Sequence, residues 1–195
     1  MAKRRTSDGK LFSPWAAIDA ADGFCRLSSQ FTEALPEDRE MTANAAQDFG
    51  ALTASATNLI LAVELYLKAV LIGAELPVPW THDLVELFKS LPENWRTGIE
   101  ARYNARAGGT PDVTSSLRLY VRLAKPVEGI EAIRNPVDQS LPSLLERNRS
   151  AFITWRYIHE GMSRDKVEVY EYEFRRLKLI CELLREQLVA SLPSK

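Results

Sequence analysis

Apolar residues in this chain recur mostly at helical spacing, and strand-like alternation is confined to one short stretch. Ser13-Pro14 reads as a helix start, with Ser as N-cap and Pro at the first helical position. Trp15, Ile18, Cys25, Phe31 and Leu35 then follow at near-helical intervals until Pro36 and a charged turn, PEDREM. A second, longest helix is expected from about Thr42 to Ile72. At ~1.5 Å per residue it would extend roughly 45 Å, enough to cross a domain. Its first half is rich in small residues, Ala43 to Ala56, with Gly50 as a point of bending. Its second half, NLILAVELYLKAVLI, is apolar nearly all round, which marks a buried central helix ended by Gly73.

Thr81 is expected to cap a third helix with His82 and Asp83 in its first turn and Leu84, Leu87, Phe88 and Leu91 on its apolar face. A more polar helix should run from Glu93 to about Ala107, followed by a Gly-Gly-Thr-Pro loop. The segment SSLRLYVRLAK, 115–125, reads as a short helix, and 126–142, with three prolines, as a loop. Arg118, Arg122, Lys125 and Arg134 there would form a local basic patch or simply solvated loop charge. From Leu141 to Gly161, LPSLLERNRSAFITWRYIHEG reads as one helix. DKVEVYEYEF suggests a short extended piece at most, and the last helix should run from about Tyr172 to Leu192, before Pro193. The pattern predicts an all-α fold: one helical domain over residues 13–195 behind a basic, frayed tail at 1–12.

Composition changes this picture little. The 195 residues are 46% hydrophobic and 26% charged, with a formal net charge of −1, so binding of nucleic acid by bulk charge is not indicated. No export-type apolar segment follows MAKRR, and the most apolar run, Leu59 to Ile72, holds Glu64 and Lys68. A cytoplasmic location, away from the membrane, is therefore expected. Two cysteines, Cys25 and Cys181, read as reduced core thiols. With two His and two Cys, and no phosphate loop, CxxC or HExxH motif, neither a metal site nor a cofactor is expected.

The candidate chemistry lies on the expected helices. Glu64 and Lys68 are four apart, either an exposed pair on the wet face of the central helix or a buried carboxylate needing a cation from another helix. Arg156 is the cation expected to meet Glu64. On the 141–161 helix, Asn148, Phe152, Trp155 and His159 would form one row and Arg149, Ile153, Arg156 and Glu160 the next. Arg149, Asn148, Arg156 and His159 are the candidate phosphate- or RNA-binding set. Glu64, Lys68, His82, Asp83, Tyr157 and Glu160 are the candidate structural polar cluster.

The combination of NLILAVELYLKAVLI, THDLVELF and LLERNRSAFITWRYIHE resembles HEPN domains over roughly residues 44–190, most specifically at Glu64, Lys68, His82, Asp83, Trp155, Arg156, Tyr157 and Glu160. The resemblance implies an antiparallel helical bundle that often dimerises, tied to nucleotidyltransferases, toxin–antitoxin pairs and anti-phage defence. In its nuclease members an Arg precedes a His by four to six residues, and two subunits bring these groups into a metal-independent RNA-cutting cleft. Here only two residues separate Arg156 from His159, and nine separate Arg149 from it, so this chain is similar to branches lacking that motif. The expected function is a non-catalytic, homodimeric interaction module acting with a partner protein, such as a nucleotidyltransferase, or with RNA. Two alternatives stand beside it: a ribonuclease with a displaced site using His159 and Arg156, and a helical adaptor with no nucleic-acid role.

Overall fold

The central helix organises the rest. In the computed structural model, which describes residues 13–32, 41–42, 46–107, 117–121, 138–158 and 168–192, helix α2 runs unbroken from Ala46 to Gly73. Leu52, Ile60, Ala62, Val63, Tyr66, Leu67, Val70 and Leu71 on it are buried. An α-helix that is apolar all round must be covered on most sides. Its neighbours are α1 (Pro14–Thr32), α3 (Leu84–Lys89), α6 (Ala151–Arg156) and α7 (Phe174–Ser191). By length and hydropathy the 50–73 segment could cross a membrane, but 61% of its 18-residue apolar window is buried inside the fold.

Helix α1 runs antiparallel to α2, since Asp22 meets Tyr66 and Ser28 meets Ser55. Helix α7 runs parallel to α2, because Tyr172 just before it bonds Ser55 while Leu192 at its end lies against Gly73. A Cβ on Gly73 would come within 3.0 Å of the Leu192 side chain, so the close approach favours glycine there. Helix α2 ends at Gly73, as expected, and the left-handed residue just beyond it is Glu75, at φ 58°, with Leu76 N–H donating to the Leu71 carbonyl at 2.8 Å.

The other helices are α4 (Glu93–Ala107) and α5 (Leu141–Arg147). The helical fold class stands, with one addition. Strands β1 (Met41–Thr42), β2 (Leu117–Val121) and β3 (Glu168–Tyr172) form a three-stranded sheet in the order β1-β2-β3. β1 pairs parallel with β2, and β2 antiparallel with β3, Leu119 opposite Tyr170. Residues 117–121 are thus a strand, not the expected helix. LRLYV alternates, and Tyr and Val favour a strand once a partner supplies the ladder.

Two further boundaries differ. Asp83, not Thr81, caps α3: its Oδ1 accepts from Val85 N (2.9 Å) and Glu86 N (3.0 Å), while Thr81 Oγ1 accepts from Asp83 N. The helix expected over 141–161 is broken at Asn148–Ser150 into α5 and α6. There the Arg149 carbonyl accepts from Leu84 N–H at 3.3 Å, and the Asn148 amide donates to the Leu144 carbonyl at 2.9 Å. The expected tail at 1–12, the turn after Pro36, the loop around Gly108–Pro111, the basic positions Arg122, Lys125 and Arg134, and His159, Glu160 and Gly161 all lie outside the described residues.

Candidate functional site

Glu64 sits on the central helix and is only 2% exposed. A carboxylate that deep needs charge-assisted partners on both oxygens. Lys68 Nζ donates to one at 2.7 Å, and His82 Nδ1 lies 2.9 Å from the other. Of the alternatives for Glu64, burial is the one found. Its cation is nevertheless Lys68, one turn along the same helix, together with His82 from the loop before α3. Arg156 is not its partner. His82 reaches Glu64 because the α3 cap has moved on to Asp83, leaving the imidazole outside the helix.

The same imidazole stacks on Phe152 of α6, with ring centroids 4.6 Å apart and planes 26° from parallel. The Arg156 guanidinium lies 5.1 Å from the Phe152 centroid and 4.4 Å from that of Tyr157, and donates to the Tyr157 hydroxyl. Among the described residues its partners are rings and a phenol, not a carboxylate. Cation–π contact explains the placement: the flat guanidinium covers apolar ring surface, and Arg156 and Tyr157 remain exposed. Asp83 and Arg149 close one side of the cluster at 3.3 Å, and Arg149 also meets Glu146 at 3.2 Å.

The structure therefore brings together Glu64, Lys68, His82, Asp83, Arg149, Arg156 and Tyr157. It separates Asn148 from them. The Asn148 side chain is buried on the other side of the α5–α6 turn and donates to Glu173 at 3.2 Å, where Arg147 (2.7 Å) and Arg176 (3.5 Å) also converge. The end of α5 turns Asn148 inward, so that its side chain is buried away from the surface cluster. Phe152 was read from the sequence as one of a row; its role as the ring between an imidazole and a guanidinium depends on the α2–α3–α6 packing.

Chemically, a neutral imidazole that donates Nδ1–H to the Glu64 carboxylate keeps Nε2 as a lone-pair acceptor. The His82 side chain is 48% exposed, so that acceptor is within reach of solvent and solute. The arrangement offers a proton acceptor, a planar cation and an exposed phenol within one surface cluster. No group of three or more His, Cys, Asp or Glu poised to share a metal occurs among the described residues.

A second cluster, not foreseen from the sequence, lies between α1, α2 and α7. Asp22 accepts from Tyr66 and from Arg185 Nε (2.9 and 3.0 Å). These residues line a cavity of about 550 Å³ with Cys25, Arg26, Lys178 and Cys181. Burial, then the hydrogen bond to Asp22, push the Tyr66 phenol well up from its ordinary value.

The fold and the polar–aromatic cluster define a helical scaffold with a compact surface site. In comparison with known families, residues 41–107, which hold α2, α3, α4 and the Glu64–Lys68–His82–Asp83 part of the cluster, match the HEPN domain. Over that stretch, about a third of its length, the chain is similar to HEPN domains. No curated protein and no solved structure matches it.

Proposed function

We propose that this chain is a homodimeric HEPN module that binds RNA through the His82–Phe152–Arg156–Tyr157 cluster without cutting it, in a prokaryotic defence or toxin–antitoxin-type system that supplies a partner protein. The observation that carries the reading is the exposed Arg156 guanidinium lying over two aromatic rings. A base can stack on such a planar cation, and a phosphate can accept its outward N–H groups. Binding should therefore weaken with salt. The test is fluorescence anisotropy with single-stranded and structured RNA in EDTA, across a salt series. Arg156→Ala should weaken binding about tenfold, as loss of one stacking platform does. Unchanged affinity in Arg156→Ala would refute the assignment, and light scattering showing a 22.0 kDa monomer at micromolar concentration would refute the dimer.

The Glu64–His82 pair favours a second reading, metal-independent cleavage. A His oriented by a buried carboxylate is a general base, and Arg156 across the Phe152 ring is the cation such a reaction needs. Gel analysis of the same RNA samples separates the two. Products from the wild type that vanish in His82→Ala would establish cleavage through His82; products that vanish only in His159→Ala would place the base at His159.

A further inference from the structure

The chain has two cysteines, one on its first helix and one on its last. Folding makes them neighbours: Cys25 and Cys181 both line the α1–α2–α7 cavity, where each thiol perturbs the ionisation of the other. Their environments differ. Cys25 is partly exposed, whereas Cys181 is buried. Around them stand Asp22 and Arg26 from α1, Tyr66 from α2, and Lys178, Glu182 and Arg185 from α7.

We propose that Cys25 and Cys181 form a peroxide-responsive dithiol, in which oxidation welds α1 to α7 through an intramolecular disulfide. The cavity admits a molecule as small as hydrogen peroxide to Cys25, and the buried neighbour is placed to resolve the product. The Cys25 sulfur attacks one peroxide oxygen, the O–O bond breaks, and Cys25 becomes a sulfenic acid as water leaves. The Cys181 sulfur then attacks the Cys25 sulfur, the S–O bond breaks, and a second water departs with the Cys181 proton. Two thiols are oxidised by two electrons and one peroxide is reduced to two waters.

The electrostatics agree with this division of roles. The hydrogen bond from Cys181, and then Lys178, lower the Cys25 thiol from its ordinary value against the opposing effects of burial, Asp22 and Glu182. Burial raises Cys181. The thiol with more thiolate character is thus the more exposed of the two.

The experiment treats the reduced full-length protein with near-stoichiometric hydrogen peroxide, quenches it, alkylates free thiols with N-ethylmaleimide and measures intact mass. The expected wild-type product has lost two hydrogen atoms, carries no maleimide, and yields a Cys25–Cys181 linked peptide that dithiothreitol separates. Its melting temperature should exceed that of the reduced form by about 5 °C or more, since the link closes a loop spanning most of the chain. In Cys181→Ser the sulfenic acid should persist on Cys25 and be trapped by dimedone. Maleimide on both cysteines after peroxide, a disulfide between two chains, or a dimedone-trappable sulfenic acid in the wild type would each overturn the proposal.

Discussion

Replacing Glu64 by Ala tests how the centre of the fold is held. Glu64 is 2% exposed, and both its oxygens are used, by Lys68 at 2.7 Å and His82 at 2.9 Å. Removing one partner of a buried ion pair typically costs ~3–5 kcal/mol, through the charge left behind and the void. Lys68 retains 20% side-chain exposure and His82 48%, so both regain some hydration, which places the expected loss near the lower limit, ~3 kcal/mol. At ~2–4 °C per kcal/mol for a chain of this size, the melting point should fall by about 6–12 °C. Glu64→Gln keeps the shape and an acceptor, and should cost about 1–2 kcal/mol. In Glu64→Leu/Lys68→Met an apolar pair replaces the ions, and most of the lost stability should return. Urea unfolding followed by far-UV circular dichroism gives these differences from midpoints at constant slope. A loss below about 1 kcal/mol for Glu64→Ala, or a double variant no better than Glu64→Ala, would refute the claim that a desolvated ion pair holds this position.

Further expectations concern single groups. Tyr172→Phe should destabilise by about 1–2 kcal/mol, because the Tyr172 hydroxyl bonds Ser28 at 2.9 Å and Ser55 at 3.2 Å in the core. Tyr103→Phe should be neutral or stabilising, since that buried hydroxyl has no hydrogen-bond partner among the described residues; equal losses for the two in urea unfolding would contradict the assignment. Glu75→Gly should raise stability by about 0.5–1 kcal/mol by relieving the left-handed backbone at φ 58°, and a lower melting temperature would count against it. Arg106 and Arg102 hold the Glu186 carboxyl below its ordinary value. Its contribution is therefore full above about pH 4.5 and fades as pH falls through the lower folded value. Because the side chain is 45% exposed, the difference between wild type and Glu186→Gln should be only ~0.5 kcal/mol at pH 7 and near zero at pH 3. A gap that persists at pH 3 in denaturant titrations would rule out the charge as its source.

The strongly periodic elements were legible in the sequence. The apolar stretch from Leu59 to Leu71 announced the central helix, and the bounds of α4, Glu93 and Ala107, coincide with those expected. What was not legible depends on partners distant along the chain. The apolar rhythm of Leu144, Leu145, Phe152 and Trp155 passes straight through the α5–α6 break, because its cause is a hydrogen bond from Leu84 N–H to the Arg149 carbonyl. Strand β2 looked helical because its ladder is supplied by residues 168–172. Glu64, Lys68, His82 and Asp83 were recognised as a set, but a buried Glu64 was assigned to Arg156 in preference to two local options. Lys68 was already within one turn, and Phe152 and Tyr157 offered the guanidinium rings close by in its own segment. The approach of Cys25 to Cys181 is a property of helix packing alone.

The hydroxyls of Ser28, Ser55 and Tyr172 answer a question that the central helix leaves open. Because α2 is apolar on nearly every side, burial alone barely distinguishes one rotation or one turn of slippage from another, and many mispacked arrangements would hide the same greasy surface. Ser55 Oγ donates to the Ser28 carbonyl at 2.9 Å, and the Tyr172 hydroxyl donates to the Ser55 carbonyl at 3.2 Å. Three elements must arrive in one alignment for all these groups to be satisfied. A helix displaced by a single turn would strand them in a dry interior. The knot acts as a keyway: it discriminates among competing packings and gives the chain one address for its first helix, its central helix and the strand that leads into its last.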